Sequence, residues 1–181
     1  GTTLYIVCLA ALNIQLARYS GQDDIVIGSP IAGRNHPDLE ILVGLLIETL
    51  VTRNYPVPAK SFSHFFKEVK QSTLDAFDNQ EYPFRELVRR VGDETDLSRN
   101  PMFDVMLMVQ NIDIPGLKAK DLELSPYTLD IHAAKVDITL EVHETDREGE
   151  SGISCLLEYG TSLFKQETMQ RFATHFVMVL E

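Results

Sequence analysis

A chain of 181 residues with 44% apolar and 24% charged positions can bury a core, and a single domain is the default expectation. Sixteen basic against 27 acidic residues leave a net charge of −11, which argues against non-specific binding to nucleic acid or anionic membrane. The longest clean apolar stretches, Leu4–Leu12 and Ile41–Ile47, fall far short of the roughly 20 residues a bilayer demands, and no basic region precedes Leu4. Neither a membrane span nor a signal peptide is expected, and the chain reads as cytoplasmic.

Leu4 to Tyr19 is apolar nearly all round at its start, the pattern of a buried helix, and Ser20-Gly21 supplies its stop. Ile25-Val26-Ile27-Gly28 is a short β-branched run and predicts a strand. Pro30, Gly33, Asn35 and Pro37 then predict a loop carrying Arg34 and His36. Leu42 to Arg53 reads as a buried strand ended by Tyr55-Pro56-Val57-Pro58, although periodicity alone leaves a helix open. Ser61 is a suitable N-cap for the clearest amphipathic helix, whose apolar stripe is Phe62, Phe65, Phe66, Val69, Thr73 and Phe77. Pro83 suits the first turn of another helix, lined by Phe84, Leu87, Val88 and Val91 and stopped by Gly92; Arg85, Glu86, Arg89 and Arg90 form its solvated face.

The second half changes period. Phe103, Val105, Leu107 and Val109 alternate with polar or sulfur-bearing neighbours. So do Val136, Ile138, Leu140 and Val142, and again Ile153, Cys155, Leu157 and Tyr159, which predicts three half-buried strands. Residues 146–150 read as a charged hairpin turn, and Met169, Phe172, Ala173, Phe176 and Leu180 as a closing helix. Ile112 to Lys135 carries no clear pattern, and a loop that long inside a domain is either functional or docks on something else. The fold class is therefore α/β, a mixed sheet flanked by helices.

Chemistry is nearly silent at this level. No GxSxG, Walker, HExxH or GxGxxG pattern occurs, and the histidines at 36, 64, 132, 143 and 175 have no metal-ligand spacing, so no metal is expected. Cys8 and Cys155 sit in apolar surroundings and read as reduced core thiols. His132, Lys135 and Asp137 read as a salt-bridged strand face, and Asp23-Asp24 as a turn.

Three segments nevertheless resemble a known family. Val43-Gly44-Leu45-Leu46-Ile47-Glu48-Thr49-Leu50-Val51-Thr52-Arg53 resembles the fifth motif of nonribosomal peptide synthetase condensation domains, (I/V)GxFVNTLxxR. Asn79-Gln80-Glu81-Tyr82-Pro83-Phe84-Arg85 resembles the sixth, (H/N)Q(D/E)YPFE, and Asp96 to Asp104 the seventh, RDxSRNPLFD. The connecting text, Tyr19 to Arg34, Val109-Gln110-Asn111 and Ala134 to Leu140, is similar as well. The HHxxxDG motif of the family's N-terminal lobe is absent, for no two histidines are adjacent. The resemblance therefore implies that residues 1–181 are the C-terminal subdomain of a two-lobed condensation domain with a chloramphenicol acetyltransferase-like fold.

The family joins an aminoacyl or peptidyl thioester to the amine of a second one, both carried on phosphopantetheine arms. The resemblance implies no catalytic residue in this stretch and no cofactor bound to it directly. It implies as partners the N-terminal lobe, upstream and downstream peptidyl carrier proteins and an adjacent adenylation domain, with self-association possible for the lobe alone. An epimerisation or heterocyclisation relative and a non-catalytic docking module are the competing readings. Among residues, the resemblance implies an inter-lobe clamp at Arg34, a guanidinium suited to a bidentate carboxylate pair. Ser29, Glu48, Gln80, Gln110 and Asn111 are candidates to line the tunnel between lobes; Arg53, Tyr82, Pro83, Phe84, Arg99 and Asn100 are structural motif residues. Glu48 replaces the usual Asn and, on a buried strand, would need a partner such as Arg53; Arg85 replaces the usual Glu.

Overall fold

A computed structural model describes residues 1–34, 36–91, 99–110, 118–119, 122–123, 133–147 and 150–181. Helix α1 spans Leu4–Ser20. Thr3 caps its start by accepting from the Ile6 amide, and Gly21 ends it in the left-handed region at φ 69°, donating its N–H to the Ala17 carbonyl. Strand β1, Ile25–Ala32, runs antiparallel to β2, Ile47–Asn54, from Ile25↔Asn54 to Ala32↔Ile47. The connection between them carries one short helix, α2, Pro37–Glu40. Helix α3, Phe62–Asp78, and α4, Phe84–Val91, lead to β3, Val105–Gln110. Two short strands, β4 at Lys118–Ala119 and β5 at Leu122–Glu123, pair with each other. The hairpin of β6, Ile138–Arg147, and β7, Glu150–Tyr159, precedes the closing helix α5, Gln166–Leu180.

The main sheet has the order β2-β1-β3-β6-β7. The pairs β1–β3 and β3–β6 are parallel, and the outer pairs β1–β2 and β6–β7 antiparallel, so the sheet is mixed. Helices α1, α3 and α5 share one face of it. Ile25, Ile27, Leu107, Leu140 and Val142 meet Leu9, Leu12, Phe65, Val69, Phe172 and Phe176 there in one core. Each such side chain, fully buried, contributes about 1.5–3 kcal/mol. Polar ties fix the helices to their neighbours. Gln15 Nε2 donates to the Phe172 carbonyl at 2.6 Å, joining α1 to α5, and Ser72 donates to Asn54 Oδ1 at 2.8 Å, joining α3 to β2. On the other face, Phe84 of α4 lies 5.9 Å from the Phe103 ring, which seals β1 at Gly28, where a Cβ would overlap that ring.

The structure corrects several sequence expectations. Pro30 belongs to β1 rather than to the following loop. The β1–β3 ladder is registered at Gly28↔Met106, so beyond Gly28 the strand tolerates a residue without an N–H. The strand expected from Leu42 starts at Ile47, and Ile41, Val43 and Leu45 are 84, 104 and 86% exposed instead of buried. Apolarity without a surface to pack on does not bury a segment. Strand β6 starts at Ile138, so Lys135 and Asp137 stand before it; His132 lies outside the described residues. Cys8 is buried, as expected, but Cys155 is exposed on the edge strand β7. The pairing of β6 with β7 continues to Arg147↔Glu150, so Asp146, Arg147 and Glu150, expected in the turn, belong to the strands. Gly92 and most of Ile112–Lys135 lie outside the described residues.

Candidate functional site

The sequence candidates are spread over the fold: Arg34 and Glu48 stand near the carboxyl end of β1 and Gln110 at that of β3, whereas Arg53 pairs with Val26 at the amino end of β1 and Gln80 and Tyr82 follow α3. Ser29 sits one residue past Gly28 on the helix-covered side. It is buried beneath α1 and accepts a hydrogen bond from the Tyr5 hydroxyl at 2.9 Å. Burial pushes the Tyr5 phenol above its ordinary pKa, against the opposing effect of hydrogen bonds with Ser29 and Thr52. The Ser29 hydroxyl is thus committed to the core.

Arg34 lies two residues past the end of β1, in the connection to β2. Its Nη1 donates to the Leu39 carbonyl at 2.5 Å and to the Leu42 carbonyl at 2.7 Å. Gly33 donates its amide to the Leu46 carbonyl, which approaches so closely that a Cβ at Gly33 would collide with that oxygen. His36 caps α2 by accepting from the Asp38 amide at 3.2 Å. The connection is therefore tied at its base, at its centre and at its short helix.

Glu48, expected to be buried, is exposed, because β2 is an edge strand and Glu48 lies near its open end opposite Ile31. Arg53 does not serve it. Arg53 forms a fork with Asp24, Nε to Oδ1 at 2.8 Å and Nη2 to Oδ2 at 2.6 Å. That fork holds the Asp24 carboxyl below its usual pKa. Asp24 is thus more than a turn residue.

Gln80 stands in the turn after α3, its amide donating to the Phe77 carbonyl. Tyr82 is half exposed, with the Arg90 guanidinium 6.0 Å from its ring centre. The Pro83 carbonyl accepts from the Glu86 and Leu87 amides and so opens α4, and Phe84 reaches Phe103. Arg99 pairs with Asp104 at 2.9 Å, and the Asn100 side chain accepts from the Met102 amide at 3.3 Å, a turn that leads into β3.

Gln110 ends β3 on the face away from the three large helices; Asn111 lies outside the described residues. Gln110 Nε2 donates to Glu141 Oε1 at 2.7 Å, and His143 Nε2 lies 2.9 Å from the same oxygen. Sequence reasoning missed Glu141 and His143 as members of this cluster. Alternation alone puts residues 141 and 143 on one face of β6, but only the β3–β6 register brings Gln110 to them. Among the described residues no group of three or more His, Cys, Asp or Glu could hold a metal ion, and no helix is long and apolar enough to cross a membrane.

The fold is a mixed five-stranded sheet with three large helices on one face. The family model "Condensation domain" matches residues 1–181, and the chain belongs to that family. Over 179 residues, 99% of this chain, it is 49% identical to tyrocidine synthase 3 of Brevibacillus parabrevis, of which it covers 3%. It superposes on a holo four-domain nonribosomal peptide synthetase bound to AMP and glycine with a TM-score of 0.85 at 20% identity, over 98% of this chain and 14% of that one. It superposes on the first condensation domain of the CDA synthetase with a TM-score of 0.74 at 17% identity, over 99% of this chain and 40% of that one. These two likenesses establish the fold. The chain thus spans a small fraction of its curated relative and under half of that condensation-domain chain.

Proposed function

We propose that this chain is the C-terminal lobe of a two-lobed condensation domain in a nonribosomal peptide synthetase. The assembled domain joins two carrier-borne substrates: the amine of the acceptor attacks the thioester carbonyl of the donor, a C–N bond forms, the C–S bond breaks, and the donor thiol leaves. The family match along all 181 residues carries this reading. Donor and acceptor arrive on phosphopantetheine arms of upstream and downstream peptidyl carrier proteins, which are partners rather than groups held by this chain. An adenylation domain adjoins it, and the setting is cytoplasmic.

The chain contains no HHxxxDG, so we assign it no base and no activity by itself. Its part is to form one wall of the substrate tunnel. Arg34 clamps the lobes: its guanidinium has five donors, and Nη1 spends its two on Leu39 and Leu42, so the fork geometry remains compatible with a carboxylate from the other lobe. Glu48, Gln80 and Gln110 contribute polar groups to the wall, and Glu141 fixes the Gln110 amide.

The test restores the rest of the domain. The parent segment is expressed with its upstream half, donor and acceptor carriers are loaded with aminoacyl groups, and dipeptidyl thioester is followed by mass spectrometry. Wild type yields product. Arg34→Ala loses at least ten-fold in rate, while Arg34→Lys, which keeps charge but not the fork, recovers only part of it. Absence of product from folded wild type across a range of aminoacyl groups would replace this reading by a docking module. Undiminished product from Arg34→Ala would keep the enzyme and discard the clamp.

A further inference from the structure

The sheet face away from α1, α3 and α5 carries a polar cluster built by strand register. Side chains of residues paired across adjacent strands point to the same side. The registers therefore lay Met108, Glu141 and Leu156 in one row across β3, β6 and β7, with Gln110 and His143 side by side in the next. Gln110 Nε2 donates to Glu141 Oε1 at 2.7 Å, and His143 Nε2 stands 2.9 Å from the same oxygen. Both groups thus converge on one carboxylate oxygen. Glu141 Oε2 and the Gln110 side-chain carbonyl have no partner among the described residues.

The surroundings leave that carboxylate short of positive charge. The Glu141 side chain is 21% exposed, so water reaches it only in part. Glu158, opposite Thr139 on the same face, adds a second negative charge, and no Lys or Arg occurs in residues 105–110, 138–145 or 152–159. A partly dehydrated carboxylate gains from a cationic donor, because hydrogen bonds to a charged group are the stronger kind. Apolar side chains flank it: Leu156 is 60% exposed and Met108 is half-buried. A stem of three or four methylenes is about as long as one strand spacing, about 4.8 Å, and such stems pack along apolar surface while the charged head stays with its polar partners.

We propose that Glu141, held in place by Gln110 and His143, is a specificity-determining residue that binds the side-chain ammonium of a basic aminoacyl group, of the lysine or ornithine type, on one of the two substrates joined. The inference rests on the reading of Gln110 as part of the tunnel wall. Glu141 Oε2 and the Gln110 carbonyl accept from the ammonium, and its aliphatic stem lies over Leu156 or Met108. A site built for such a donor discriminates against the analogue that lacks it, because the carboxylate is then left without its partner.

The test uses the intact parent domain with its carrier proteins. Donor and acceptor carriers are loaded in turn with lysine or with norleucine, which has the same carbon stem and no ammonium, while the other carrier holds alanine. Dipeptidyl thioester is followed by mass spectrometry. At one of the two positions wild type is expected to favour lysine at least ten-fold. Glu141→Gln, which keeps the shape and removes the charge, is expected to cut that preference below three-fold by slowing lysine and leaving norleucine unchanged. Glu167→Gln, the same change of charge at an exposed position on α5, is expected to keep the preference. Should Glu141→Gln fail to fold, Leu156→Lys at the exposed edge opposite Glu141 places a tethered ammonium on the carboxylate and is expected to abolish the preference equally. No lysine preference at either position in wild type, or one that Glu141→Gln or Leu156→Lys leaves intact, would overturn the subsite. Because wild-type product is scored separately, product without lysine preference rejects this inference alone, and no product from any pair rejects the enzyme reading and the subsite with it.

Discussion

The two sides of β1 obey different rules. On one side, Ile25, Ile27 and Ser29 meet three helices, and nearly every apolar group is hidden: Leu9, Leu12 and Ile27 have no exposure at all. At the end of the same strand, an equally apolar sequence, Ile41 to Ile47, stands in water in the connection to β2. Composition does not distinguish the two segments. What differs is whether the chain supplies the opposing surface. The helix side is covered by α1, α3 and α5, whereas Ile41, Val43 and Leu45 find no cover among the described residues.

That contrast can be broken most severely from the complete side. Phe176→Ala empties a fully buried site between α5 and the sheet, and is expected to lower unfolding free energy by about 3–5 kcal/mol in urea titration. Gly28→Ala tests the Phe103 plug on the opposite face. The added methyl overlaps the ring, and a loss of about 1–3 kcal/mol is expected, relieved in part by Phe103→Leu.

A smaller effect comes from the Asp24–Arg53 fork, which is about half exposed and therefore screened. Asp24→Asn is expected to cost at most about 1 kcal/mol at neutral pH. The pKa of Asp24 is lowered by folding, chiefly by its hydrogen bonds from Arg53, so its contribution is present above the unfolded carboxylate pKa. It is lost as pH falls through the lower folded value. The difference between wild type and Asp24→Asn in urea midpoint should shrink on acidification and disappear in strong acid. The smallest effect sharpens the comparison from the other side: Ile41→Ser, Val43→Ser and Leu45→Ser combined should change the unfolding free energy of this chain by no more than about 0.5 kcal/mol, since they remove nothing buried.

Much of the architecture was legible because local rules and tertiary context agreed. Ser61 and Gly21 sit where helix ends need them, and the alternation of Val105 to Val109 and Ile138 to Val142 matches the faces seen. The failures share one cause. Leu42 to Leu46 reads as a buried strand because apolar runs usually are buried, whereas burial depends on a facing surface that no local pattern encodes. Glu48 reads as buried for the same reason, and Cys155 as a core thiol, yet both are exposed on edge strands. In the candidate site, Arg34, Gln110 and Tyr82 came from motif resemblance alone. The Glu141–His143 pair beside Gln110 escaped notice because strand register is a long-range property that no local pattern encodes.

The most direct test of the account is hydrogen exchange on the intact parent domain, comparing amides of residues 41–46 with those of α1 as the upstream half is removed. The account predicts that α1 amides keep their protection while those of 41–46, slow in the intact domain, become fast once the upstream half is gone. Fast exchange at 41–46 in the intact, product-forming domain would contradict it.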